Sequence, residues 1–161
     1  FINKNLLNSL RLSRIYAIFP EARFIHMTRN PLFVAQSILL ARRDKLGDPR
    51  AWLGPKPKGY EHLLNLDPTY QILWQIKQIN QNTERFLNAY TLDYMKISYE
   101  DLCEKPNERL GWIADRFDLK RKCAIPVSAL SLQDKIKISD LEWQQILEYA
   151  SLLYDKEIPV N

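Results

Sequence analysis

Apolar positions recur at helical spacing from the start of the chain. Leu6, Leu7, Leu10, Ile15, Ile18 and Phe19 share one face, and Pro20 ends the helix they predict. Arg23-Phe24-Ile25-His26-Met27-Thr28 reads as a short strand, bulky and β-branched, bounded by Pro20 and by Asn30-Pro31. Pro31 suits the first turn of a second helix, because its missing N–H is unpaired there in any case. Val34, Ile38, Leu39 and Ala41 form that helix's expected buried stripe, out to about Arg43. After Pro68 a long helix is expected, with Ile72, Ile76, Ile79, Phe86, Leu87 and Tyr90 on one face; Trp74 reads as part of its core as readily as of any site. Leu92 to Ser98 reads as a second strand, Tyr99-Glu100-Asp101-Leu102 as a short helix, and Pro106 to about Phe117 as another. Ser139 and Glu142 have capping-box spacing ahead of Trp143, Ile146, Leu147, Ala150, Leu153 and Tyr154. Strands alternating with helices predict a parallel α/β sheet covered on both faces. A third short strand is expected near Phe1-Ile2-Asn3, and two strands alone make so small a sheet that further strands are expected upstream.

Residues 44–68 break the pattern. Gly47, Gly54, Gly59, Pro49, Pro55, Pro57 and Pro68 fall here, among Arg50, Trp52, Lys56, Lys58 and Tyr60. An aperiodic stretch of this length is a lid or a linker, and its basic and aromatic content favours a lid or substrate loop. Composition then narrows the class. With 46% hydrophobic and 11% aromatic residues in 161, the chain carries enough apolar material for one core and is no disordered tail. No uncharged apolar run approaches the roughly 20 residues that cross a bilayer. Two cysteines (Cys103, Cys123) and two histidines make a disulfide framework or a structural zinc site a poor fit, and favour a reducing, cytoplasmic setting. The chain opens on Phe1 with no signal-peptide pattern, and reads as a piece of a longer protein cut upstream. Charge is lopsided: residues 1–60 hold 11 Lys/Arg against 3 Asp/Glu, and residues 61–161 hold 12 against 16. That distribution points to a localised anion site rather than a nucleic-acid coat.

The sharpest constellation is Arg29-Asn30-Pro31 followed by Ser37. Arg29 stands where a strand ends and a helix begins, and open parallel sheets bind ligands outside the carboxyl ends of their strands. A helix N-terminus there offers free N–H groups and partial positive charge to an anion, and Arg29 adds a permanently charged planar fork. Ser37 lies six residues beyond Pro31, ~9 Å along a helix axis, and meets the same anion only if the ligand runs alongside the first two turns. Arg42 and Arg43, another turn on, are placed to close over it. Each residue also has an ordinary reading: Arg29 paired with a surface carboxylate, Ser37 filling a gap against the sheet.

Lys4-Asn5, the run Phe19-Pro20-Glu21-Ala22-Arg23-Phe24-Ile25-His26-Met27-Thr28-Arg29-Asn30-Pro31, Val34 and Ser37 together resemble the sulfotransferases that use 3′-phosphoadenosine 5′-phosphosulfate (PAPS). The likeness continues through Tyr99-Glu100-Asp101-Leu102, Pro106 and Phe117-Asp118-Leu119, covering about residues 1–120, with a bacterial flavour similar also to tyrosylprotein sulfotransferases. The resemblance implies a P-loop NTPase-like parallel sheet flanked by helices, incomplete because the N-terminal P-loop strand is missing, so that residues 1–161 are the C-terminal part of one sulfotransferase domain. It implies that Arg29 and Ser37 hold the donor's 3′-phosphate, that Tyr99 contacts the nucleotide, and that Lys4 aligns with a lysine stabilising charge on the transferring sulfonate. A fixed cation at that point lowers the barrier because negative charge spreads over the sulfonate oxygens. A solvated surface lysine is the ordinary alternative for Lys4.

Two parts of the family pattern have no counterpart. No glycine-rich 5′-phosphosulfate loop is present, and no convincing general base: His26 reads as packed within its strand, and His62 lies beside the lid without an evident partner. Both are expected upstream of Phe1, which leaves this stretch inactive by itself. Ser128, Ser131, Lys135 and Lys137 fall where the family has a segment folding over the nucleotide, and read equally as a solvated loop; Arg50, Trp52 and Tyr60 are candidates to face the acceptor. The expected partners are the sulfonate donor and a carbohydrate, peptide or small-alcohol acceptor, with no metal, nucleic acid or membrane span. Two other classes stay open: a P-loop-type nucleotide or small-molecule kinase, which needs a G-x-x-x-x-G-K-[ST] loop upstream, and a non-catalytic, helix-rich module whose basic patch meets an acidic partner.

Overall fold

The computed structural model describes residues 2–90, 92–120, 126–128, 130–132 and 134–154. Strands β1 (Phe24–Thr28) and β2 (Tyr94–Ser98) pair in parallel, in register from Phe24 opposite Tyr94 to Thr28 opposite Ser98. Parallel partners project to the same face, so each face is a joint product of both strands. On one face Met95 and Ile97 pack with Phe117, Leu102 and Ile113, while Ile25 and Met27 of β1 stay roughly half exposed. The other face carries His26 and Lys96, and Lys96 Nζ reaches Glu84 at 2.6 Å.

Among the described residues, six α-helices accompany this pair: α1 (Leu12–Ile18), α2 (Pro31–Leu46), α3 (Pro68–Ala89), α4 (Tyr99–Glu104), α5 (Pro106–Arg116) and α6 (Asp140–Tyr154). The main core lies between helices rather than under the sheet. Leu32, Ala35 and Leu39 of α2 meet Ile72, Leu73 and Ile76 of α3, with Ile146 and Ala150 of α6 closing the third side. Local chemistry sets the helix starts. Asn30 caps α2 by accepting from Leu32 N, Asp67 caps α3 by accepting from Thr69 N and Tyr70 N, and both helices begin with proline. The capping box ahead of α6 is formed, with Ser139 N and Oγ on Glu142 Oε2 and Glu142 N on Ser139 Oγ. α2 ends at Gly47, whose φ of 69° is the left-handed cap that glycine adopts without strain.

Three sequence expectations shift. The first helix is two pieces, a 3-10 turn Leu6–Leu10 and then α1, broken at Arg11 (φ −126°). Asn5 Oδ1 takes Leu7 N and Ser9 Oγ donates to Leu6 O, and such local polar bonds compete with a continuous helical ladder. Ile2 and Asn3 have no regular structure, so the strand expected there is not found among the described residues. The buried stripe of α2 is Leu32, Ala35, Gln36, Leu39 and Arg42: Leu39 is buried as expected and Val34 and Ile38 pack partly buried against the core, but two polar side chains take positions in the stripe that apolar spacing did not assign. Cys103 is a buried free thiol, and Cys123 lies outside the described residues.

Candidate functional site

The register of the two strands builds the site. Thr28 and Ser98 face each other at the carboxyl ends, so the next residues, Arg29 and Tyr99, emerge side by side. The Arg29 guanidinium carbon stands 4.7 Å from the Tyr99 ring centroid, a cation–π distance. Each strand then turns directly into a helix, with Asn30 capping α2 and Ser98 Oγ accepting from Asp101 N at the start of α4. The junctions are tied together by Glu100, whose Oε1 accepts the Asn30 N–H at 2.8 Å. A planar cation held against an aromatic face beside a helix N-terminus is an anion-receiving arrangement. A hydrogen bond with the Cys103 side chain raises the Tyr99 phenol above its ordinary pKa, the Arg29 charge opposing.

A segment from far along the chain lies against this junction. Asp134 Oδ1 sits 2.8 Å from Arg29 Nη2, both side chains about one-fifth to one-quarter exposed. Two residues of α2 along from the first turn, Gln36 holds the same segment by its backbone: its Nε2 donates to Lys135 O at 2.9 Å and its Oε1 accepts Lys137 N at 2.7 Å. Farther back, Asn107 makes a matching pair of bonds to the backbone of Val127. The strap 134–137 therefore runs along the first two turns of α2, where Ser37 is exposed.

The structure brings Arg29 and Tyr99 together and leaves Ser37 exposed along the same stretch of α2. Lys4 is exposed in the segment before the first 3-10 turn, and among the described residues no hydrogen bond or ion pair ties it to the cluster. Arg42 lies elsewhere than its sequence reading put it. It sits 11 residues beyond Pro31, roughly 16 Å along the helix, and its side chain is fully buried. There its Nη1 donates to Pro49 O and Gln71 Oε1, and the guanidinium stacks on Trp52 at 5.4 Å. Burial lowers its pKa, with Asp48 opposing. Arg43 pairs with Glu142 of α6. Trp52 donates to Pro55 O and packs edge-on against Tyr60 at 5.0 Å, and Lys56 stacks on Tyr60. Ser128, Ser131, Lys135 and Lys137 are all exposed, the two lysines on the strap.

Sequence reasoning missed Gln36, Glu100 and Asp134. Glu100 was legible as a neighbour of Tyr99, but Asp134 is 105 residues from Arg29 and carries no local signal. Among the described residues no group of acidic, histidine or cysteine side chains has the form of a metal site, and no helix is long and apolar enough to cross a membrane. No curated protein and no solved structure matches the chain. The profile of the sulfotransferase family matches residues 1–122, a span that holds β1, β2, Arg29, Ser37 and Tyr99. The chain belongs to the sulfotransferase family.

Proposed function

We propose that the Arg29–Tyr99 junction binds the 3′-phosphate of PAPS, and that this chain is the donor-holding part of an enzyme passing a sulfonate to an acceptor hydroxyl or amine. The observation that carries the reading is the guanidinium fork at the carboxyl end of β1, stacked on Tyr99 and flanked by the start of α2. Its fit to an oxyanion is supported by Asp134, a carboxylate already at charge-assisted hydrogen-bond distance from it. Arg29 would supply the charged fork, Ser37 a hydroxyl donor along the helix, and Tyr99 the aromatic wall. Lys4 would stabilise charge on the sulfonate oxygens as the acceptor atom bonds to sulfur and the sulfur–oxygen bond to the nucleotide breaks. The products are the sulfated acceptor and adenosine 3′,5′-bisphosphate, with the acceptor's proton passing to a base. Arg42 has no part in this reading, being held under the 48–57 loop.

The test is calorimetric. Arg29→Ala in the protein carrying this chain should weaken adenosine 3′,5′-bisphosphate binding by about 1.5–3 kcal/mol, the worth of a hydrogen bond to a charged group, with the melting temperature little changed. Unchanged affinity in a folded variant would reject the phosphate assignment.

A further inference from the structure

The side chain that meets Arg29 is itself an anion, delivered by a strap with its own anchors. Gln36 is only 3% exposed, and both ends of its amide are spent on the backbone of Lys135 and Lys137. That two-point grip sets the register of the strap much as a neighbouring strand would, because an amide side chain offers the donor and acceptor of a peptide group. With 135 and 137 gripped, residue 134 is placed at the guanidinium, 2.8 Å from Nη2. Asn107 repeats the device elsewhere, its Nδ2 donating to Val127 O and its Oδ1 accepting Val127 N. The neighbouring donor at the junction is engaged likewise, Asn30 N–H on the Glu100 carboxylate. A carboxylate of the chain thus occupies the guanidinium that the reading above gives to a ligand phosphate.

Resting on that reading, we infer that Asp134 is a built-in competitor of the donor's 3′-phosphate: its carboxylate holds Arg29, and the phosphate takes the guanidinium only as that carboxylate leaves. The grip of Gln36 makes the exchange a local one. Lys135 and Lys137 are held through their backbone atoms and stay in place while the Asp134 side chain rotates away. A phosphate dianion outcompetes a single carboxylate on charge, whereas a nucleotide without a 3′-phosphate has nothing to put in its place and leaves the pair intact. Asp134 therefore sets a threshold that acts on the 3′-phosphate alone.

The experiment compares Asp134→Asn with the wild type in the protein carrying this chain. Adenosine 3′,5′-bisphosphate and adenosine 5′-monophosphate are the calorimetric probes, and Arg29→Ala is the reference. The asparagine keeps the shape of the side chain and removes its charge, at a position that is not in the core. Asp134→Asn should tighten the bisphosphate about fivefold, the scale of a part-exposed ion pair, and leave the monophosphate unchanged. Bisphosphate affinity that is unchanged or weaker overturns the inference, since the carboxylate then orients the guanidinium instead of competing for it. Equal tightening of both nucleotides overturns it too, as the effect would be diffuse charge. Arg29→Ala with undiminished bisphosphate binding, or no binding by wild type and Asp134→Asn alike, fails the phosphate reading itself and the inference with it.

Discussion

His26 shows how a single side chain reports its surroundings. It lies mid-strand in β1, 9% exposed, with Lys96 opposite in register and Asn80 and Glu84 of α3 beside it. Burial lowers its pKa below the ordinary 6.5; Lys96 adds to that, while Glu84 and Asn80 oppose it only in part. The folded protein therefore favours the neutral ring, and the unfolded chain binds more protons below pH 6.5. Stability contributed by His26 is present above that pH and is lost as the pH falls through 6.5 toward the lower folded value. Urea midpoints measured stepwise below pH 7 should drop more steeply for the wild type than for His26→Gln, which cannot titrate. Parallel slopes would assign acid sensitivity elsewhere. Arg42 is the complementary case: a buried guanidinium that, among the described residues, makes no ion pair and spends its charge on a carbonyl, an amide and an indole face, with Nε and Nη2 left without partners there.

At the scale of elements, the 48–57 loop and the start of α3 are organised by polar side chains. Gln75 Nε2 donates to Leu53 O and Pro55 O, Arg42 holds Pro49 O, and Pro55 and Pro57 are buried. Gly54 lets the loop pass over Gln75: its φ is 89°, and a Cβ there would stand 3.4 Å from Gln75 Nε2. Asp67 does two jobs with one carboxylate. Oδ1 accepts Thr69 N at 2.8 Å and caps α3, and Oδ2 accepts Gln145 Nε2 of α6 at 3.0 Å. Asp67→Ala should cost about 1–2 kcal/mol by denaturant unfolding, the usual loss for an N-cap. Asp67→Asn keeps a capping oxygen and should lose much less. If the two variants lose equally, the bond from Gln145 or the charge, rather than the cap, is what matters.

For the whole molecule, α6 is the keystone between the helical core and the strap. Ile146 is fully buried among α2 and α3, Glu142 pairs with Arg43, Tyr154 Oη donates to Leu73 O, and Lys77 meets Leu153 O. The strap leads directly into the capping box that starts this helix, so docking of α6 and placement of Asp134 are coupled by chain connection. Ile146→Ala should remove about 2–4 kcal/mol of stability, because a cavity is left where three helices close. Hydrogen exchange at Lys137 N–H, held by Gln36, should accelerate in the same variant. A loss below about 1 kcal/mol would mean that the site collapses around the deletion.

Elements and their types were legible because each rests on near-neighbour chemistry: the apolar period of α3, the prolines opening α2, α3 and α5, the capping box of α6, the β-rich run of β1. The same locality made Arg29 legible, since a strand end followed by Asn-Pro is a junction whatever surrounds it. The break at Arg11 was not legible, because the first segment's apolar spacing masks the competing bonds of Asn5 and Ser9. Gln36, Arg42, Gln71 and Gln75 could not be read as interior, because hydropathy counts their amide and guanidinium groups as solvent-seeking until the fold supplies carbonyls to receive them. By itself, then, the sequence determined the order of strands and helices and the cation at the end of β1. Only the tertiary structure decided that Arg29 stacks on Tyr99, that Arg42 turns inward, and that a carboxylate 105 residues away closes on the guanidinium. Periodicity reports a residue's own element, whereas a contact between distant residues exists only once the packing of other elements has brought them together.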